Sequence, residues 1–202
     1  MPNSEVHQSI ATALSTQGWC VIENYFPAPL IEHLAAEVLA LHKHQALRPA
    51  GIGRGQQLQQ DRNIRQDCIH WLDGSSLAQQ QYLTAMTTLK HALNQELYLG
   101  LDELEAHFAI YAPGAFYQKH LDSFQGAANR ILSVVSYLNL DWPEDAGGNL
   151  SIYAQDEVLT QVKPEAGKLV VFLSEEIPHA VQPATLQRLS IAGWFRRRSN
   201  GL

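Results

Sequence analysis

The chain has 202 residues, 46% of them hydrophobic and 17% charged, with a formal net charge of -6. That length suits one domain with a sizeable core, no apolar run approaches the ~18 residues of a membrane span, and the acidic balance argues against a general affinity for nucleic acid phosphates. The opening MPNSEVHQSIATALSTQ lacks basic and apolar signal regions, so a cytoplasmic location is expected.

In chain order, residues 4 to 16 read as a short helix, followed by a strand near WCVIENYF. In PAPLIEHLAAEVLALHKH the residues Leu30, Ile31, Leu34, Ala35, Val38, Leu39 and Leu41 recur at helical spacing, with Pro27 and Pro29 at the entry. The stretch RPAGIGRGQQLQQDRNIRQD is glycine-rich and polar and predicts a mobile loop ending in a strand. Gly51, Gly53 and Gly55 match neither dinucleotide nor Walker spacing and precede no helical pattern. A second long helix is expected where Tyr82, Met86, Leu89, Leu93 and Leu97 step by four, three, four and four.

From residue 102 the pattern changes to short β-rich runs separated by Pro, Gly, Asn and Asp: ELEAHFAIYA, RILSVVSYLNL, GGNLSIYA, EVLTQVKP, GKLVVFL, HAVQPA and RLSIAGWFRRR. Many short strands mean a sandwich, jelly roll or barrel. The predicted class is α+β, as one domain over 1–202, with helical support and a loop in 1–100 and the β core in 101–198. Cys20 and Cys68 are too few and too separated for a disulfide framework or a thiolate metal site, and read as packed thiols. Arg196 to Arg198, the one basic run, reads as a solvated end. Pro113-Gly114 and Gly147-Gly148 read as plain turns.

The chemistry concentrates in YQKHLDSFQ, residues 117 to 125. In a strand, residues two apart share a side, so His120 and Asp122 can face one point. His179, in PHAVQPA, offers a third ligand. Two His and one carboxylate leave about three coordination positions open, the set used by non-heme Fe(II) oxygenases. Arg188, nine residues later and on the next predicted strand, can clamp a carboxylate with two hydrogen bonds; 2-oxoglutarate chelating the iron needs such a partner for its far carboxylate. A lone histidine in a strand is more often a packed or exposed polar residue. His120 and His179 gain the ligand reading from the company of Asp122 and Arg188. His42 and His44 stand two apart in a helical pattern and point about 200° apart, so they do not share a metal readily. His7, His33, His70, His91 and His107 show no partner in sequence and read as surface or structural.

The order His120-x-Asp122, His179, Arg188, together with IRQDCIHWLDG, IYAPGAFYQKHLD, VSYLNLDW, GGNLSIY, PHAVQPA and RLSIAGWF, resembles the 2-oxoglutarate and Fe(II)-dependent dioxygenases of the prolyl 4-hydroxylase superfamily. Within them it looks most like the oxygen-sensing prolyl hydroxylases of animals and their bacterial relatives. The resemblance runs from about residue 60 to 196. It implies a double-stranded β-helix, that is, a jelly-roll core with supporting N-terminal helices. It implies His120, Asp122 and His179 as iron ligands, Arg188 as the clamp on the 2-oxoglutarate 5-carboxylate, and Tyr137 sharing that carboxylate. Tyr111, Tyr117 and Trp194 match aromatic pocket residues, Tyr117 on the substrate side. Arg65, Asp67 and Trp71 match the segment that covers a peptide substrate, and Arg130 matches a residue near the pocket mouth. Arg65 and Asp67 could equally be a solvated loop pair, and the aromatics could equally be barrel filling.

The function implied is O2-dependent prolyl 4-hydroxylation of a protein loop, with elongation factor Tu the target in bacterial relatives, succinate and CO2 as products, and ascorbate as the reductant. Hydroxylation of a free amino acid or small metabolite is a second reading. A non-catalytic metal-binding jelly roll is a third. Neither nucleic acid nor membrane is an expected partner, and a chain of this size and type can be a monomer.

Overall fold

The computed structural model describes residues 4–51, 61, 63–123 and 130–197. The glycine-rich loop anticipated around 49–60 falls largely outside the described residues, as does Arg198. In chain order the elements are α1 (Ser4–Gln17), β1 (Trp19–Ile22), α2 (Ala28–Lys43), β2 (Arg48–Pro49), β3 (Cys68–Trp71), α3 (Leu77–Leu97), β4 (Glu103–Tyr111), β5 (Tyr117–His120), β6 (Arg130–Tyr137), β7 (Leu150–Ala154), β8 (Glu157–Val162), β9 (Leu169–Leu173), β10 (His179–Val181) and β11 (Arg188–Arg196).

The helices form where the periodicity places them. Ser76 caps α3 by accepting the Gln79 amide at 3.0 Å, and Tyr98 closes it in the left-handed region. Tyr82, Met86, Leu89 and Leu93 are all fully buried. On α2 the stripe is narrower than the spacing suggests: Leu30, Ile31, Leu34, Ala35 and Val38 are buried, but Leu39 is 44% exposed because it lies off the face that meets the core. No helix among the described residues is long and apolar enough to cross a membrane.

The strands form two antiparallel sheets, one of seven strands in the order β1-β9-β6-β11-β4-β3-β2 and one of four in the order β5-β10-β7-β8. This is the double-stranded β-helix arrangement. The larger sheet draws β1, β2 and β3 from the first hundred residues, with β1 on β9 and β3 on β4.

Alternation along β4 and β11 separates two cores. Phe108, Ile110, Leu189, Ile191 and Phe195 point toward the helices and join Leu34, Met86 and Leu89 in one apolar cluster. Burying each such side chain contributes roughly 1.5–3 kcal/mol. The intervening residues His107, Tyr111, Arg188, Ser190 and Trp194 turn the other way, into a cleft. Behind them, Tyr137, Ile152, Phe172 and Val181 pack a second cluster between the sheets. Cys20 is buried and its thiol is pushed up to about 12 by desolvation, in keeping with a packed thiol. The end of β11 is not merely solvated: Arg196 pairs with Glu105, and Arg197 Nε donates to the Leu99 carbonyl at 2.9 Å.

Candidate metal centre

β5 and β10 pair so that His120 and His179 stand directly opposite each other. Asp122 does not reach them by strand alternation, because β5 ends at His120 and Asp122 sits in the bend that follows. The bend is pinned by the Ser123 amide donating to the Ser174 carbonyl at 3.1 Å. One ligand atom from each of His120, Asp122 and His179 falls within 4.8 Å of the others. His120 Nε2 is 3.5 Å from Asp122 Oδ1, and His179 Nε2 is 3.6 Å from Asp122 Oδ2.

The protonation pattern suits a cation. His120 Nδ1 lies 2.7 Å from the Gln118 carbonyl and His179 Nδ1 lies 3.0 Å from the Ile177 carbonyl. A carbonyl only accepts, so both Nδ1 atoms carry a proton, and Nε2 is the ring atom each histidine turns toward the carboxylate. Burial, with His120 beside it, lowers His179 to about 4 and keeps its ring neutral. Asp122 accepts the Ser133 hydroxyl at 2.6 Å, which favours its charged form. Two imidazole Nε2 atoms and a carboxylate converging on one point can hold a cation, and this nitrogen and oxygen set with open positions suits Fe(II).

The same cleft is lined by Arg188, which is 1% exposed. Its Nε donates to the Gly148 carbonyl at 2.9 Å and its Nη1 to Ser190 Oγ at 3.3 Å. Its guanidinium carbon lies 5.1 Å from the Tyr111 ring centre and 5.0 Å from that of Tyr137. Arg188 Nη2 and the Tyr137 hydroxyl are buried with no hydrogen-bond partner. Unsatisfied buried donors are costly, and two on neighbouring residues fit the carboxylate of a chelating 2-oxo acid. Gly147-Gly148 is accordingly more than a turn. Gly148 has φ +74, and a Cβ there would come within 2.9 Å of Ala184 Cβ, 3.1 Å of Trp142 Cζ2 and 3.4 Å of Arg188 Cδ.

Arg65 and Asp67 are not a solvated pair. Arg65 Nε and Nη2 meet the two Asp67 oxygens at 2.6 and 2.8 Å, and Asp67 is 2% exposed. Burial works against the Arg65 charge, but Asp67 holds it above the ordinary arginine range. Backbone bonds from Gln66 N to the Phe116 carbonyl and from Gln118 N to the Ile64 carbonyl lay this segment along β5. Arg65 covers one side of the Tyr117 ring at 4.8 Å, and Tyr117 stacks on His120 at 3.5 Å between centroids.

Trp194 lines the cleft and Arg130 lies over its ring at 3.7 Å, whereas Trp71 is half-exposed and meets the His107 ring in a T-shaped contact. His107 is the residue sequence reasoning passed over. It is buried in the cleft wall, and desolvation, with Arg65 nearby, lowers it to about 4. Its place four residues before Tyr111 puts it on the same strand face, since His107, Ala109 and Tyr111 alternate with core residues.

A family model of the 2OG-Fe(II) oxygenase superfamily matches residues 106–196, from β4 through β11. The chain is similar to a prolyl-4-hydroxylase from Pseudomonas putida, at 44% identity over 96% of this chain and 100% of that one, with a TM-score of 0.87. It is also similar to a prolyl hydroxylase from Trichoplax adhaerens, solved with a hypoxia inducible factor oxygen degradation domain peptide fragment, at 25% identity over 96% and 90% of the two chains and a TM-score of 0.85. A viral collagen prolyl hydroxylase from Paramecium Bursaria Chlorella virus-1 shares the fold at 17% identity, covering 91% and 98%, with a TM-score of 0.62.

Proposed function

Because the chain belongs to the 2OG-Fe(II) oxygenase superfamily, within its prolyl 4-hydroxylase group, we propose that it is a prolyl 4-hydroxylase acting on a proline in a loop of a partner protein, with elongation factor Tu the candidate substrate. It is a dioxygenase that uses Fe(II), 2-oxoglutarate and O2. The observation that carries the site assignment is the unsatisfied Arg188 Nη2 of a cleft that also holds the His120, Asp122 and His179 cluster, together with the neighbouring Tyr137, whose buried hydroxyl is unsatisfied too.

The roles follow from the residues. His120, Asp122 and His179 hold the metal through Nε2, one carboxylate oxygen and Nε2, their other polar atoms already engaged by carbonyls and Ser133. Arg188 and Tyr137 orient the cosubstrate by its far carboxylate. Tyr111 and Trp194 exclude water from the cleft, so that the charge on Arg188 acts through a medium of low polarity. The chemistry supplied by Fe(II), 2-oxoglutarate and O2 when bound is oxidative decarboxylation coupled to C–H hydroxylation, releasing succinate and CO2. Arg65, Asp67, Tyr117 and Arg130 form the substrate side, with Trp71 at its rim. A protein substrate is favoured because the Trichoplax relative was solved with a peptide.

Purified protein given Fe(II), ascorbate and 2-oxoglutarate should release succinate, faster with proline-containing peptides from elongation factor Tu. Turnover on free proline with none on any peptide overturns the protein-substrate reading, and turnover that survives His120→Ala overturns the site.

A further inference from the structure

Two buried serines behind the metal centre have no assigned part. Ser133 on β6 is 1% exposed and Ser174, just past β9, is fully buried. Ser133 Oγ donates to Asp122 Oδ2 at 2.6 Å and lies 2.9 Å from Ser174 Oγ. A hydroxyl has one proton to give. Since Ser133 spends it on the carboxylate, the proton in the second bond belongs to Ser174, and the chain runs Ser174 to Ser133 to Asp122. Polarity aligned in this way strengthens each bond in a low-dielectric interior.

The backbone of Ser174 fixes the same region from two sides. Its amide donates to the Ile131 carbonyl at 3.0 Å, and its carbonyl accepts the Ser123 amide at 3.1 Å. One residue therefore ties β6, the end of β9 and the bend carrying Asp122. This matters because Asp122 lies beyond the end of β5, where no ladder bond orients it.

We infer that Ser133, backed by Ser174, is the positioning residue of the metal centre: its hydroxyl occupies Asp122 Oδ2 and leaves Oδ1 as the oxygen presented to the metal. A carboxylate held in this way takes one coordination position, which keeps the remaining ones for cosubstrate and O2. Hydrogen bonds behind a metal ligand are typically worth 10–100-fold in metal affinity.

The inference rests on the metal-site reading above, and Co(II) titration of the purified full chain by calorimetry separates the two. Asp122→Ala should abolish Co(II) binding; if it binds as wild type does, the site reading fails. With that control in place, Ser133→Ala is expected to bind Co(II) about 10-fold or more weakly while still showing a cooperative thermal unfolding transition, and Ser133→Thr, which keeps the hydroxyl, to restore most of the affinity. Ser133→Ala binding Co(II) as tightly as wild type overturns the inference. So does a Ser133→Thr loss as large as that of Ser133→Ala, since the effect would then be packing rather than the hydroxyl.

Discussion

His120 on β5 and His179 on β10 are register partners across one antiparallel pair, with their ring centres 4.2 Å apart. A sequence separation of 59 residues is thereby reduced to a cross-strand contact, and each ring turns Nε2 inward because its Nδ1 donates to the chain two residues earlier. Replacing either histidine by Ala should lower metal affinity and succinate formation by more than the roughly 100-fold ceiling for a supporting residue. Metal titration alongside turnover checks this.

Arg188→Lys keeps the charge and loses the fork. The lysine cannot make the Nε bond to Gly148 and also offer two parallel donors to a carboxylate. Losing one charge-assisted hydrogen bond costs about 1.5–3 kcal/mol, so KM for 2-oxoglutarate should rise on the order of 10–100-fold. Steady-state kinetics at saturating peptide would show it, and an unchanged KM would remove Arg188 from cosubstrate binding.

Gly148→Ala tests the cradle. A positive φ costs an L-residue roughly 1–2 kcal/mol, and the new Cβ meets Ala184 and Trp142 at 2.9 and 3.1 Å. The turn must shift, taking with it the carbonyl that holds Arg188. Thermal unfolding should register the loss of stability, and KM for 2-oxoglutarate should rise with it.

Asp67→Ala should destabilise the fold by about 3–5 kcal/mol, because Arg65 is left charged and buried without its partner. The double variant Arg65→Met with Asp67→Ala should cost less, since no charge remains unpaired. Urea unfolding of the two proteins decides the point; equal losses would mean the pair acts through packing alone.

Stability without metal should fall as the solution is acidified. His107 is held near 4 by burial, against the usual 6.5, and His179 likewise. Below about 6.5 the unfolded chain takes up protons that the folded one refuses, so stability is complete above that pH and declines as pH falls toward 4. For His107 the loss is on the order of 3 kcal/mol over that window. Unfolding free energies between pH 4 and 7 should show a shallower slope in His107→Gln.

The helices, the strand-rich second half and the three residues that cluster at the candidate metal centre were all legible in the chain. Helical and two-residue periodicities are local properties, and His120-x-Asp122 is a local spacing. Gly148 looked like a turn and Leu39 like a core residue because their roles depend on what lies across from them: Arg188 forty residues on, and solvent. His107 and Ser133 were silent for the same reason, each being one polar residue in an apolar strand until β4 and β6 are placed around the cleft. That Asp67 is buried and Arg65 largely so emerges from packing against β5 and has no local signal. Only the tertiary structure decided that Asp122 is aimed by a bend and a serine rather than by strand alternation, because hydrogen bonds between distant segments leave no periodic trace in the chain.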